Sequence, residues 1–265
     1  MNRIKVVEDK VEELKIPKKI IFSMKSAQNE FDIASIDIVC LKSCNLELDV
    51  SSSSKKIKIN VEVKKNAEVE LFLYQRLENS KVQYNYQVEE NAHVNVFKFQ
   101  NVPVGKEMIS THLLGNGASF EYSLKDICNG KETLDYYIYH DARNTNSNIK
   151  NNIVSVRNGK ATVQVSTFIP KGMKECVANQ NNRIISLNEK KNEIRPNLYI
   201  DEYDVVANHS ALIGKFSGEE IFYLQSRGIS KEEATRLLLK GFLLSDIENK
   251  KMQKELEKAT KNEWR

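Results

Sequence analysis

The side chains best suited to bind a metal or act as nucleophiles are four cysteines and four histidines spread over 265 residues. Cys40 and Cys44 are four residues apart, which places both on one face of a strand. Structural zinc sites usually need a second such pair or nearby histidines. Cys128 and Cys176 stand alone and the histidines are scattered, so the cysteines are predicted to be reduced, buried, small apolar residues.

Motifs that carry enzyme chemistry are not found in the sequence. It contains no glycine-rich phosphate loop, no dinucleotide-binding glycine pattern, no His-Glu-x-x-His and no Gly-x-Ser-x-Gly. Acidic residues are plentiful, but the sequence does not show which of them pair in space. The residues that could do chemistry must therefore be interpreted through the elements that position them.

The balance of charges limits the classes of partner that the sequence favours. Lys and Arg total 40 against 36 Asp and Glu, a net charge of +4 that does not suggest a nucleic-acid binder. The longest apolar runs, such as residues 237–239, are too short to span a membrane. The first ten residues carry five charges and no apolar segment follows them, so the chain is expected to be cytoplasmic.

The two-residue period of half-buried strands runs from about residue 31 to residue 213. Three segments within it resemble one another: residues 64–75, 89–100 and 114–124 each place a small Asn-Ala or Gly-Ala turn before an alternating strand. Ala67, Ala92 and Ala118 are 25 and 26 residues apart. This spacing favours a β-solenoid over an antiparallel sandwich, which could give the same local pattern.

The period changes to that of helices after residue 217. Ser217 and Glu220 form a capping box, and Ser230 and Glu233 form a second one ahead of an apolar stripe. Gly228 is expected to end the first helix, and residues 245–265 to fray or form an exposed helix. The predicted architecture is mainly β: a leader or short helix over 1–30, a parallel β-helix core over 31–216 and a helical module over 217–265.

Residues 196–242 resemble the C-terminal signature of the SufB/SufD proteins, the scaffolds of Suf-type iron–sulfur cluster assembly. The matching pattern runs Pro-x-Leu-x-Ile, then Asp-Val, a histidine at His209, Phe-Tyr-Leu-x-Ser-Arg-Gly-Ile and Gly-Phe. Residues 140–147 resemble the family's His-x-Ala-x-x-Thr-x-Ser element. Gly159, Gln180 and Asn182 also fall where the family usually has Gly, Gln and Asn.

The resemblance implies a binding scaffold with a parallel β-helix followed by helices, not a self-sufficient enzyme. Family members dimerise through the β-helix, so a SufB-like subunit or a second copy is the expected partner. Their C-terminal helices dock a SufC-type ABC ATPase. The matching positions here are Phe222, Tyr223, Leu224, Arg227, Leu238, Gly241 and Phe242, which could instead cap the open end of the solenoid.

His209 matches the family's histidine near the subunit interface, which implies a role beside a transient iron–sulfur cluster or iron, with no stably bound cofactor. Imidazole can ligate iron or carry a proton near neutral pH. Many members place a cysteine where this chain has Ala207, and residues 184–196 hold none. Thiolates are the usual cluster ligands, so the chain resembles SufD more than SufB.

Two alternatives to this scaffold remain. One is a self-contained iron- or cluster-binding protein that uses His209 with Cys176 or Cys128. The other is a β-helix carbohydrate-active enzyme, which would need carboxylates converging on one face of the solenoid.

Overall fold

The computed structural model describes residues 2–7, 10–27, 32–51, 56–103 and 105–263. The strands are β1 (Asn2–Val7), β2 (Lys10–Lys15), β3 (Ile20–Lys25), β4 (Ala34–Cys40), β5 (Cys44–Ser51), β6 (Lys56–Val63), β7 (Glu68–Gln75), β8 (Ser80–Val88), β9 (His93–Gln100), β10 (Gly105–Leu113), β11 (Ser119–Cys128), β12 (Lys131–His140), β13 (Asn146–Ser155), β14 (Lys160–Ile169), β15 (Cys176–Ser186), β16 (Glu193–Ile200) and β17 (Val205–Gly214). The helices are α1 (Gly218–Gln225), α2 (Lys231–Leu244) and α3 (Lys250–Glu263).

From β4 onward, successive strands alternate between two sheets. The nine-stranded sheet runs β17-β15-β13-β11-β9-β7-β5-β1-β2, and the eight-stranded sheet runs β16-β14-β12-β10-β8-β6-β4-β3. Strands from consecutive turns pair in parallel, for example Leu46 with Leu71 and Leu71 with Val96. The chain therefore forms a β-solenoid of about seven turns, which confirms the predicted fold class and excludes the antiparallel sandwich.

Alternation within each strand builds the interior. Leu46, Leu71, Val96, Tyr122 and Ile149 form one row across five neighbouring strands, and each is at most 2% exposed. Burying a large apolar side chain contributes roughly 1.5–3 kcal/mol. Because one turn cannot close its own core, this stabilisation appears only when turns stack.

The repeated turn works because a residue in the left-handed backbone region reverses the chain. Asn66, Asn91, Gly117 and Asn144 have φ angles of 61°, 51°, 73° and 52°. Asn and Gly tolerate this region better than other residues do. The next residue in the first three cases is a buried alanine that fits the tight corner.

The N-terminal segment corrects the sequence prediction of a leader or short helix over residues 1–30. Its described residues form β1, β2 and β3 instead. Ile4 and Val6 alternate rather than follow a helical period, and both are fully buried beside Leu48 and Val50. Burial of that alternating face in the first turn of the solenoid outweighs the local tendency to form a helix.

The helical module lies on the outer face of the nine-stranded sheet and not over the end of the solenoid. Both predicted N-caps are present: the Ser217 hydroxyl accepts from the Glu220 N–H at 3.1 Å, and Ser230 accepts from Glu233 at 3.2 Å. None of the described helices is long and apolar enough to cross a membrane. An apolar cluster joins the outer face of the sheet to the module. The sheet side contributes Phe72, Tyr74, Phe99, Ile127, Val154, Val156 and Ile185, and the module contributes Leu239, Leu243, Ile247, Met252, Leu256 and Ala259.

The charged tail is the second correction. Residues 250–263 form α3, which packs through Met252 and Leu256, both fully buried. The sequence predicted that this tail would fray or form an exposed helix. A helix is present, but it is not exposed on every face, because its few apolar residues recur at a four-residue spacing. They therefore lie on one face of the helix.

Candidate functional site

The last strand, β17, forms the edge of the nine-stranded sheet at the C-terminal end of the solenoid. It pairs with β15 on one side, with Gln180 opposite His209. Its ten residues, Val205 to Gly214, include no Asp, Glu, Lys or Arg. An edge strand carries a row of backbone groups that can pair with another strand. We call this end of the molecule, made by β16 and β17, the open end.

His209 continues an interior row of the solenoid. The row that begins at Leu46 passes through Ile149 to Gln180 and then to His209. Residues of this row are buried in every earlier turn, and Gln180 is 3% exposed. His209 is exposed because no turn of the described chain stacks on β17. It therefore stands where the next turn of a solenoid would cover it.

Polar side chains lie in the turn beneath His209. Gln180 Nε2 donates to Thr167 Oγ1 at 2.9 Å and to the Asn197 carbonyl oxygen at 3.1 Å. Asn151 Nδ2 donates to Asn182 Oδ1 at 2.7 Å. Gln180 Oε1 and Asn182 Nδ2 are buried without a hydrogen-bond partner among the described residues. An acceptor and a donor thus remain unpaired in the turn next to the open end.

Large apolar side chains surround the open end. Those of Tyr199 and Ile200 on β16, Val206, Leu212 and Ile213 on β17, and Tyr203 between the strands are all more than a third exposed. Exposed apolar patches of this kind mark interaction surfaces in proteins. An aromatic stack on the eight-stranded sheet also ends here: Phe168 and Tyr199 are 4.8 Å apart between ring centroids.

Helix α1 buries none of its residues. Phe222 is 71% exposed and Tyr223 is 57% exposed. The Arg227 guanidinium lies 5.0 Å from the centroid of the Tyr223 ring, and its Nη2 donates to the Tyr223 hydroxyl at 3.1 Å. Leu224 is partly buried. The helix thus exposes two aromatic rings to the solvent, and one of them, Tyr223, is in contact with the Arg227 guanidinium.

Leu238, Gly241 and Phe242 line a groove of about 420 Å³ between α2 and the nine-stranded sheet. Arg183, on β15, lies over the Phe242 ring at 5.3 Å from its centroid. The Asn152 amide donates to the Phe242 carbonyl oxygen at 2.9 Å and fixes this part of α2 on the sheet. Of the seven predicted docking residues, three lie on α1, Arg227 lies in the turn directly after it, and three line the groove side of α2.

Comparison with known proteins agrees with this architecture. Residues 36–242, most of the chain, match the family described as "SUF system FeS cluster assembly, SufBD core domain". The chain belongs to the SufBD family. It is 34% identical over 133 residues to the iron–sulfur cluster assembly protein SufD of Bacillus subtilis, an alignment covering 49% of this chain and 28% of that protein. It is 32% identical over 105 residues to a SufBD family protein of Staphylococcus haemolyticus, covering 39% and 23%.

A SufBD family protein of Mycobacterium leprae is 41% identical over 63 residues, which are 23% of this chain and 16% of that protein. The matched regions thus span between 16% and 28% of the length of these relatives. The match to SufD of Bacillus subtilis agrees with the SufD-like resemblance of the sequence. Ala207, which stands where many members have cysteine, pairs with Ala178.

This SufBD-family chain does not bring His209 together with the cysteines proposed to share a metal with it. Cys176 is fully buried and pairs with Val205, four residues and about 13 Å along the strand from His209. Cys128 is buried three strands away, about 14 Å across the sheet, and its register places it six residues, about 20 Å, further along the strand direction. In the part of the chain that the structure describes, no three His, Cys, Asp or Glu side chains could hold a metal ion. Among the described residues, the self-contained iron-binding alternative therefore has no ligand set.

Cys176 has a structural place instead. Its Sγ lies 3.2 Å from Thr145 Oγ1, which in turn is 2.7 Å from His140 Nδ1. His140 Nε2 is 2.9 Å from Ser147 Oγ, so both ring nitrogens are occupied. Burial lowers the pKa of His140 to about 4, which keeps this histidine neutral. The family element at residues 140–147 thus builds a buried corner of the solenoid.

Sequence reasoning missed a buried ionic network in the middle of the SufBD core. Lys98 and Glu107, both fully buried, form an ion pair, and Gln100 Nε2 donates to Glu132 Oε2 at 3.1 Å. Burial raises the pKa of the adjacent Asp126 to about 7. The sequence did carry a signal for it: Lys98 falls on the two-residue alternation that also places Val94 and Val96 in the interior of the solenoid. These carboxylates converge but are sealed inside, so they cannot meet a polysaccharide as the carbohydrate-enzyme alternative requires.

Proposed function

We propose that this chain is a SufD-like scaffold subunit of a cytoplasmic Suf-type iron–sulfur cluster assembly complex, with no turnover of its own. It pairs through its open end with a SufB-like subunit or a second copy, and it docks a SufC-type ABC ATPase through α1 and α2. The observation that carries the proposal is β17, an uncharged edge strand whose interior-facing row is left uncovered.

Pairing at the open end follows from what the strand offers. A partner strand would complete the hydrogen bonds of the sheet edge, and its side chains would cover Ile213 and Ile200, which are 43% and 38% exposed. Burying apolar surface contributes about 25 cal/mol per Å². His209 lies on the same side of β17 as Ile213, four residues away, and would face the partner.

Docking of an ATPase is supported by a difference between two faces of the helical module: one face is buried against the sheet and the other is exposed to solvent. One face holds the module on the sheet through Leu239 and Leu243, which are at most 1% exposed. The other presents Tyr223 and Arg227, residue types that dominate binding energy at protein interfaces, together with Phe222, a type enriched there. Since α1 buries none of its own residues, its aromatic rings are available to a groove on another protein.

The docking proposal is tested by co-expression with the organism's Suf-type ATPase and a pull-down on tagged chain. Phe222→Asp is expected to abolish recovery of the ATPase while leaving the β-rich circular dichroism spectrum unchanged. Leu114→Asp is the matched control, because Leu114 is 46% exposed on a turn of the solenoid far from α1. Equal recovery with both variants would remove the helices as the docking site.

The role proposed for His209 concerns the cargo of the complex rather than a resident cofactor. Imidazole is a ligand for iron and carries protons near neutral pH. With the partner bound, His209 would stand at the interface where a transient cluster or iron is assembled. Ligands beyond His209 would have to come from the partner, because Cys176 and Cys128 lie out of reach.

The test compares His209→Ala with His93→Ala, an exposed histidine at the start of β9. In the co-purified complex, His209→Ala is expected to reduce cluster formation, followed by visible absorbance and iron content, without loss of the partner. His93→Ala is expected to leave cluster formation unchanged. Iron-dependent absorbance in the isolated chain, retained in His209→Ala, would contradict an interface role.

A further inference from the structure

The first corner of the solenoid places two thiols opposite each other. Cys40 ends β4 in the eight-stranded sheet and Cys44 begins β5 in the nine-stranded sheet, with three residues between them. Both side chains point inward: Cys40 is 0% exposed and Cys44 is 5% exposed. Both thiols are free rather than joined in a disulfide.

Later turns show independently that these two positions face each other. Strand register carries the position of Cys40 to His140 and the position of Cys44 to Ser147. In that turn His140 Nε2 and Ser147 Oγ are 2.9 Å apart although six residues separate them. Only three residues connect Cys40 to Cys44. The equivalent positions of the first turn are therefore joined by a shorter loop than His140 and Ser147.

The two thiols are not equivalent. Cys44 lines a surface groove of about 790 Å³ together with Lys19 and Ser43, whereas Cys40 is sealed beneath it. The Lys19 ammonium donates to the Ser43 carbonyl oxygen, which keeps its positive charge beside Cys44. The hydrogen bond from Cys40 and the charge of Lys19 lower the pKa of Cys44, while the same hydrogen bond and burial raise the pKa of Cys40. The thiol with the lowered pKa is thus the one that borders the groove.

We propose that Cys40 and Cys44 are a redox-active thiol pair that closes to a disulfide on reaction with a low-molecular-weight disulfide such as oxidised glutathione. The Cys44 thiolate attacks one sulfur of the glutathione disulfide, forms a mixed disulfide and releases one glutathione thiolate. Cys40 loses its proton and attacks the Cys44 sulfur, which releases the second glutathione. Each cysteine gives up one electron, and one disulfide is reduced to two thiols.

The pair is separated from the proposed interaction surfaces. Cys40 and Cys44 lie in the first turns of the solenoid, whereas β17 and α1 lie at the opposite end of the chain. The inference therefore stands or falls independently of the ATPase and of the partner subunit.

Peptide mapping of the folded full chain tests the proposal directly. Trypsin cleaves after Lys42, so residues 26–42 and 43–55 separate unless a disulfide joins them. After incubation with oxidised glutathione, the number of free thiols is expected to fall from four to two, and the two peptides to appear joined and lighter by two hydrogens. Dithiothreitol should restore all four thiols. A count that stays at four in the folded chain would overturn the proposal.

Single variants separate the two roles. Cys40→Ser is expected to retain glutathione on Cys44, because no second thiol releases it, and Cys44→Ser is expected to leave Cys40 unmodified. Cys128→Ser is the matched control, since Cys128 is also buried but hydrogen-bonds to the Gly130 carbonyl oxygen at 3.2 Å and has no facing thiol. Equal modification of Cys128 and Cys44 in the wild-type chain would contradict the pairing even if a variant failed to fold.

Discussion

The two ends of the solenoid are finished in different ways. At the N-terminal end, β2 runs antiparallel to β1 and β3 runs antiparallel to β4. The parallel stacking of strands therefore ends on both sheets. The edge strand β2 carries Lys10, Glu12, Glu13 and Lys15. Arg3 pairs with Glu13 at 2.8 Å. Reversed direction and alternating charge both disfavour the addition of another strand.

At the C-terminal end, β16 and β17 both run parallel to the strands beneath them, and β17 is uncharged. The parallel repeat could continue there with the same register. An edge without charges or a reversed strand is one that natural proteins normally protect. The contrast teaches that the N-terminal end acts as a cap, and that the C-terminal end is the one suited to receive a partner.

The largest expected effect tests whether the N-terminal strands belong to the core. Ile4→Ala should lower the free energy of unfolding by about 2–5 kcal/mol, because Ile4 is fully buried and its loss leaves a cavity. Ile200→Ala at the open end should cost less than about 1 kcal/mol, because Ile200 is 38% exposed. Urea unfolding of the chain without a partner measures both. Equal costs would mean that the two ends are packed alike.

A smaller effect is expected when a charge is placed on each edge in turn. Ile213→Lys should weaken association through the open end by about a hundredfold, or about 2.7 kcal/mol, because the ammonium would have to be desolvated. Leu14→Lys on β2 is the matched control, since the two side chains are 43% and 49% exposed. Light scattering after size exclusion measures association, alone and with a SufB-like subunit.

The control should leave association unchanged. If Leu14→Lys weakened it as much as Ile213→Lys did, the N-terminal end would be the interface and the comparison would be reversed. If neither variant had an effect, the open end would be covered by something other than a partner strand.

The fold of the solenoid was predictable because its cause is local and repeated. The interior rows that contain Leu46, Ile59 and Leu71 were visible as alternation, and the Asn-Ala turns as a recurrence near 25 residues. The C-terminal caps at Ser217 and Ser230 were predictable for the same reason. The N-terminal strands were missed because six residues such as those of β1 fit a short helix equally well until their neighbours are known.

The candidate site was only partly predictable, because its geometry depends on pairing between distant segments. Val94, Val96, Phe97 and Phe99 are all apolar, so their residue types alone do not show which of them face the interior. The structure buries Val94 and Val96 inside the solenoid and places Phe99 outside, under the helices. The interior position of Lys98 follows from that division. The exposure of His209 depends on β17 being the last strand of its sheet, which no local pattern reveals.

The smallest expected effect concerns acid. The pKa of Glu13 lies below its usual value, first because Lys15 hydrogen-bonds to it and also because of the charge of Arg3. A carboxyl with a lowered pKa stabilises the folded state above its unfolded pKa near 4.5, and that contribution is lost as the pH falls through the folded value. Hydrogen-exchange protection of β2 should therefore decrease between pH 6 and about pH 3, and Glu13→Gln should remove much of the difference. Association through β17, which carries no Asp, Glu, Lys or Arg, should not follow this loss of protection. Loss of association in parallel with β2 protection would show that the two ends are coupled, not independent.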